Sequence, residues 1–270
     1  MRKLTIGKSE EVDALGYGTW LIGGNSSPDY SKDDYYVRVL KTAFELGYRL
    51  IDTAEYYGGG HTEELVGRAL KDFDRKEFFI ISKVWPTHLH YDDTIKAAEN
   101  SLKRLDIKFI DLYLIHWPNP AIPINETISA LEKLVDEGKI RYIGVSNFSV
   151  QQLQEAMEAT RKYDIVANEV KYSVFDRRVE DELLPFARKN NVRIIAYTPL
   201  ERGKIYRTKV LEEMAKKYGK TLNQIALNYL ISMEAIPIPK AEKREHMIEN
   251  IGALGWKIEE EDLETIRRGL

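Results

Sequence analysis

A short apolar, β-branched run followed by an amphipathic helical stretch recurs along this chain at intervals of roughly thirty residues, the length of one strand-helix unit. Such a repeat leaves few folds open. The runs are Leu15 to Trp20, Leu50 to Ala54, Phe78 to Val84, Ile110 to His116, Ile140 to Val145, Ile165 to Val170, Val192 to Tyr197 and Ala235 to Pro239, eight in all. Several are apolar at successive positions, as in Phe78-Phe79-Ile80-Ile81 and Val192-Arg193-Ile194-Ile195-Ala196, which is how strands covered on both faces read. Helical patterns fill the intervals over Asp33 to Leu46, Thr62 to Lys71, Asp92 to Leu105, Glu126 to Glu137, Val150 to Arg161, Glu180 to Lys189, Leu222 to Met233 and Arg244 to Leu254.

Local signals agree. Thr62 before Glu63 and Glu64 reads as a helix cap with an acidic first turn, and so does Glu259-Glu260-Glu261-Asp262 as a first turn. Gly47 and Gly138 follow last turns, and Pro86, Pro118, Pro199 and Pro239 fall at or just past strand ends. With no polar linker near the middle, residues 1–270 are expected to form one α/β domain, a closed (β/α)8 barrel of the TIM type, with an open doubly wound sheet as the lesser alternative. Leu4 to Gly7 with Val12 reads as an N-terminal hairpin capping the barrel floor. An extra helix is expected over Val210 to Tyr218, between the seventh and eighth strands. Gly16-Tyr17-Gly18 and Gly58-Gly59-Gly60 read as tight turns, not as a Rossmann fingerprint.

Composition excludes several function classes. Forty Lys+Arg against 43 Asp+Glu, a net charge of -3, provide no broad cationic field for nucleic acid. With no cysteine, disulfides, thiolate metal sites and cysteine nucleophiles drop out, and a reducing cytoplasm fits. No run approaches the ~20 apolar residues of a membrane span, and the N-terminus has no signal-peptide pattern, so no membrane role is expected.

In such a barrel the chemistry gathers beyond the strand ends. Those positions hold Asp52, Tyr56 and Tyr57, then Lys83 and Trp85, His116 and Trp117, Ser146 and Asn147, Asn168 and Glu169, Tyr197 and Thr198, and Lys240. An aspartate, a tyrosine, a lysine and a histidine from three consecutive strand ends form one titratable cluster. Carbonyl reduction needs a proton on oxygen as well as a hydride on carbon. Tyr57 is the candidate acid, Lys83 the charge that brings its phenol closer to working pH, and Asp52 the partner that keeps Lys83 charged. His116 orients the substrate oxygen or shares the proton duty.

These residues lie in segments that resemble the signatures of the aldo-keto reductase family: Gly47-Tyr48-Arg49-Leu50-Ile51-Asp52-Thr53-Ala54-Glu55-Tyr56-Tyr57-Gly58, Ile81-Ser82-Lys83-Val84-Trp85, Leu114-Ile115-His116-Trp117-Pro118, Gly144-Val145-Ser146-Asn147-Phe148 and Ile236-Pro237-Ile238-Pro239-Lys240. The likeness runs in chain order from Gly16 to about Asn250. It implies a (β/α)8 barrel that uses NADP(H) to interconvert a carbonyl, possibly sugar-derived, and its alcohol, with Asp52, Tyr57, Lys83 and His116 as the catalytic tetrad. The family's spacing selects Tyr57 over Tyr56.

The resemblance also carries over cofactor positions. Ser146 and Asn147 resemble the pair that holds the nicotinamide carboxamide, Tyr197 the aromatic that stacks on the nicotinamide, and Lys240 the lysine that meets the adenosine 2'-phosphate. Glu169, Pro199, Leu200, Ala241, His246, Glu249 and Asn250 complete the cofactor set. Three positions depart from the family's pattern. Glu169 stands where glutamine is usual, and is read as stabilising the oxidised, cationic nicotinamide and tilting the enzyme toward alcohol oxidation. Ala241 and His246 replace a hydroxyl residue and an arginine, so NADP(H) is favoured while NAD(H) stays open, with Lys243 and Arg244 as compensating charges.

Trp20, Trp85 and Trp117, with His116, are expected to line an apolar substrate funnel, and the short segment Leu200 to Lys204 and the chain end at Leu270 predict an open mouth with broad selectivity. His88 and His90 read as a solvated loop, so no metal is expected, and His61 reads as a surface residue. The expected partner is a small carbonyl or alcohol, and the expected state a monomer or weak oligomer. Two rivals are a cofactor-reading regulatory module with little turnover and a nicotinamide-free isomerase or aldolase.

Overall fold

In the computed structural model, which describes residues 2–205 and 207–270, the chain opens with an antiparallel hairpin of β1 (Lys3–Ile6) and β2 (Glu10–Asp13). Eight parallel strands follow, each paired with the next in chain order. They are β3 (Tyr17–Gly18), β4 (Leu50–Asp52), β5 (Phe79–Val84), β6 (Ile110–Ile115), β7 (Ile140–Ser146), β8 (Ile165–Lys171), β9 (Arg193–Tyr197) and β10 (Ile236–Pro237). The helices are α1 (Asp33–Glu45), α2 (His61–Leu70), α3 (Tyr91–Leu105), α4 (Ile124–Asp136), α5 (Val150–Ala159), α6 (Leu183–Lys189), α7 (Lys209–Tyr218), α8 (Leu222–Ser232), α9 (Arg244–Ile251) and α10 (Glu260–Gly269). The extra helix is α7, and the acidic run near the C-terminus opens α10.

The barrel closes between its first and last strands. The Gly16 N–H donates to the Pro237 carbonyl at 2.9 Å and the Gly18 N–H to the Pro239 carbonyl at 3.4 Å. No return bonds can form at those two positions, because proline has no N–H to give. The seam is therefore thin, and β3 and β10 each shrink to two residues where longer strands were expected. Neither Gly16 nor Gly18 has a positive φ, so the turn reading of Gly16-Tyr17-Gly18 is corrected to strand. The glycines serve close approach instead: a Cβ on Gly18 would lie 2.6 Å from the Ile238 carbonyl oxygen. Gly58, Gly59 and Gly60 do have positive φ and make the expected turn.

Inside the barrel, Leu50, Phe79, Ile81, Leu112, Leu114, Ala167, Ile195, Ile236 and Ile238 form a core separate from the larger one between strands and helices. Ile6 and Val12 of the hairpin join that inner cluster, so the hairpin plugs the floor. Arg193 Nε ties it down by donating to the Thr5 carbonyl at 2.9 Å.

Two local expectations give way to tertiary contacts. Thr62 does not cap α2, which starts at His61 behind a left-handed Gly60; the Thr62 hydroxyl donates to the Ile22 carbonyl instead. His61 is buried, with Nε2 2.8 Å from Asp33 and Nδ1 2.7 Å from Glu64. The stretch from Glu180 breaks into a short turn over Arg178–Glu180 before α6. Among the described residues, no helix is long and apolar enough to cross a membrane.

Candidate active site

Strand side chains alternate between faces, so the residue two places beyond an inner-core residue points the same way, one layer nearer the mouth. Leu50, Ile81, Leu114, Ala167, Ile195 and Ile238 lie in the inner core. Two residues on stand Asp52, Lys83, His116, Glu169, Tyr197 and Lys240. The mouth is thus polar because six strands, on reaching it, exchange an apolar inward residue for a titratable one.

At its centre lies Lys83, with no solvent exposure. Its ammonium donates to Asp52 Oδ1, to the Thr53 carbonyl at 3.1 Å and to the Tyr57 hydroxyl at 3.2 Å, and lies 3.4 Å from Glu169 Oε1. Burial works against the charged form, but Asp52, then Glu169 and Tyr57, outweigh it and hold the lysine well above its usual pKa. It stays an ammonium. Tyr57 follows β4 on a glycine turn that folds its ring under Trp20, centroids 4.9 Å apart.

The Tyr57 phenol differs from the expectation that Lys83 brings it close to working pH. Burial raises it well above the ordinary tyrosine range, and Lys83 offsets this only in part because Asp52 and Glu169 push the same way as burial. The phenol is therefore neutral and carries its proton. His116, at the end of β6, is held down to about 2 by burial and then by Lys83, so its ring is neutral too. Its Nδ1 is buried without a hydrogen-bond partner, as is Glu169 Oε2.

On the opposite side, Asn147 occupies a left-handed conformation, with φ of 63°. Its amide donates to the His116 carbonyl at 3.1 Å and to Ser146 Oγ at 3.0 Å, and its carbonyl accepts from the Tyr197 hydroxyl at 2.8 Å. Ser146, Asn147 and Tyr197 are thereby one unit. Lys240 sits apart at the far rim, paired with Glu242 at 2.8 Å, and Glu242 also accepts from Tyr35. Of the remaining cofactor positions, Pro199 and Ala241 are buried, Leu200 is half-buried and His246 is exposed. Glu249 accepts from Asn223 of α8 and the Tyr48 hydroxyl donates to the Met247 carbonyl, which anchors α9, and Asn250 of the same helix is buried.

Aromatic rings wall the other flank. Tyr56 is stacked between Trp20 and Trp85, at centroid distances of 6.1 Å and 3.8 Å, and Trp85 meets the His116 ring at 5.2 Å. Trp117 is exposed. Tyr56, weighed from sequence only as a rival to Tyr57, is therefore the spacer of this wall. Glu55 was missed: it accepts from the Trp85 N–H at 2.6 Å and faces His88 Nδ1 at 3.0 Å, fixing the loop after β5. A carboxylate caught between a strand end and a tight turn was the available signal. His90 faces Glu126, away from His88.

A family model described as the aldo/keto reductase family matches residues 14–269. Methylglyoxal reductase YeaE of Escherichia coli (strain K12) is 34% identical over 258 residues, 93% of this chain and 89% of that protein. Among solved structures, a thermostable aldo-keto reductase Tm1743 in complex with the inhibitor epalrestat superposes with a TM-score of 0.96 at 51% identity, covering 99% of each chain. An aldo-keto reductase from Klebsiella pneumoniae in complex with NADPH superposes with a TM-score of 0.88 at 35% identity, covering 99% of this chain and 95% of that one.

Proposed function

The chain belongs to the aldo/keto reductase family, and on that premise we propose how its residues divide the work of an NADP(H)-dependent oxidoreductase that interconverts a carbonyl and the corresponding alcohol. NADP(H), when bound, supplies or accepts the hydride. The residues present fit it: buried His116 Nδ1 and Glu169 Oε2 stand without partners at the mouth, beside the linked Ser146, Asn147 and Tyr197. Ser146, Asn147 and Tyr197 hold the nicotinamide end. Lys240, with Lys243 and Arg244 nearby, meets the phosphate at the adenosine end. Pro199, Leu200, Ala241 and His246 flank that path, with Glu249 and Asn250 on α9 beside it.

Tyr57 gives its proton to the carbonyl oxygen during reduction, and Lys83 stabilises the phenolate that remains. Asp52 keeps Lys83 charged and aimed. His116, neutral, offers one ring N–H to orient the substrate oxygen and is not itself the acid. The observation that carries this reading is the placement of one buried ammonium against both the Asp52 carboxylate and the Tyr57 hydroxyl. Trp20, Trp85 and the exposed Trp117 form the substrate wall, suited to small aldehydes and ketones.

We propose further that residues 1–270 act as one domain in the cytoplasm as a monomer or weak oligomer, without a nucleic-acid or membrane partner; the hairpin plugging the floor and the absence of cysteine support this. The test is steady NADPH consumption, followed optically, with a panel of small carbonyls such as methylglyoxal. Saturable quenching of tryptophan fluorescence by NADPH without turnover on any carbonyl would defeat the catalytic assignment.

A further inference from the structure

Glu169 joins the two halves of the mouth. Its backbone carbonyl accepts from the Ser146 hydroxyl at 2.9 Å and from the Asn147 N–H at 2.8 Å, so its side chain emerges beside the residues assigned to the nicotinamide. The carboxyl turns toward the other half. Oε1 lies 3.4 Å from Lys83 Nζ, the same ammonium that donates to Asp52 Oδ1. Oε2 is buried and receives no N–H or O–H.

Two buried carboxyls face one buried ammonium, and Lys83 compensates one negative charge rather than two, so one of the pair keeps a proton. Asp52, in the tighter contact with the ammonium, is the ionised member. Glu169 is the protonated one: burial, then the field of Asp52, pushes its carboxyl well above the usual range. The other titratable groups facing it are Tyr57 from the turn after β4 and Tyr197 from β9, both neutral phenols, with neutral His116 across the mouth.

We propose that Asp52 and Glu169 hold one proton between them beside Lys83, and that its release leaves an uncompensated negative charge next to the nicotinamide, so that the relative grip on oxidised and reduced dinucleotide depends on pH. The proposal rests on the cofactor reading given above. An oxidised nicotinamide ring is a cation and the reduced ring is neutral, so an ionised Glu169 attracts only the former. By linkage, binding of the oxidised form drives the Glu169 proton into solvent; only an O–H bond breaks, and nothing is oxidised or reduced. A glutamine at this position would keep the acceptor and the donor but lose the titrating proton.

The test is the dissociation constant of NADP+ and of NADPH, read by tryptophan quenching, for the wild type and Glu169→Gln. The window runs from about pH 5, above an ordinary carboxyl, to about pH 9, below an ordinary lysine or tyrosine. Titration of the 2'-phosphate and of surface histidines acts on both nucleotides alike and drops out of their ratio. In the wild type the ratio of the NADPH constant to the NADP+ constant should rise about tenfold with pH, the equivalent of one pKa unit of coupling. In Glu169→Gln it should stay flat. Calorimetry in two buffers should show proton release on NADP+ binding by the wild type alone. A flat ratio in the wild type, or an undiminished slope in Glu169→Gln, overturns the proposal. Absence of quenching by either nucleotide overturns the cofactor reading, and this one with it.

Discussion

Lys83 Nζ and the Tyr57 hydroxyl stand 3.2 Å apart in a layer closed to solvent, although 26 residues separate them in the chain. This is one of several contacts between the turn after β4 and the end of β5, and the proposed acid-base chemistry depends on it. Loss of the hydroxyl should therefore remove proton donation and little else. Tyr57→Phe is expected to lower the rate of carbonyl reduction by at least about 10²-fold while leaving the NADPH dissociation constant nearly unchanged. Steady-state rates beside fluorescence titration check this, and a retained rate would move the acid to His116.

Removing the ammonium leaves Asp52 and Glu169 buried without their cation. Lys83→Met should destabilise the fold by about 3–5 kcal/mol near neutral pH. The two carboxyls then hold protons in the folded state that the unfolded chain gives up at ordinary carboxylate pKa values. The folded state is thus the more protonated one, and the loss should grow as pH rises. Urea midpoints at two pH values decide it, and a loss that shrinks as pH rises would contradict the buried-pair account.

His116 is held neutral with a pKa lowered to about 2. Below the ordinary histidine pKa the unfolded chain takes up a proton there that the folded chain refuses, so stability must fall as pH drops through that range. The slope is about 1.4 kcal/mol per pH unit for one such group. His116→Phe should lose this component between about pH 6 and pH 5. Equal acid slopes in wild type and variant would show that His116 protonates in the folded state.

At the barrel seam, a methyl on Gly18 would meet the Ile238 carbonyl oxygen at 2.6 Å, a backbone atom that cannot swing away. Gly18→Ala is expected to destabilise by about 1–3 kcal/mol and, because Lys240 follows Ile238 by two residues, to weaken NADPH binding as well. Thermal melting and fluorescence titration report the two effects; a variant as stable as the wild type would mean that the seam can open without loss.

At the far rim, Glu242 occupies the charge of Lys240 at 2.8 Å. On the proposed reading of Lys240, a 2'-phosphate would have to displace it. Glu242→Gln should tighten NADPH by a few-fold, the worth of a partly exposed ion pair, without tightening NADH, and Lys240→Ala should weaken NADPH far more than NADH. Equal effects on both nucleotides would place the 2'-phosphate elsewhere.

Much of this was legible in the residue order. Consecutive apolar runs such as Phe78 to Ile81 announce strands buried on both faces, and a spacing of two from Leu50 to Asp52 or Ile81 to Lys83 is enough to set a polar layer above an apolar one. The family's motifs then assign the roles. The cap reading of Thr62 and the surface reading of His61 failed where a distant group offered a better partner, the Ile22 carbonyl for Thr62 and Asp33 for His61.

The sequence by itself determined a ring of strand-helix units and the kind of side chain each strand carries to the mouth, because both follow from periodicities of two and 3.6 residues along one chain. Only the tertiary structure decided which of those side chains share a charge. Burial and a few ångströms of approach turned Glu169 toward Lys83 and Asp52, kept the Tyr57 phenol neutral and placed Glu242 on Lys240. Electrostatic energy depends on distance and dielectric across the fold, and neither is written in the order of the residues.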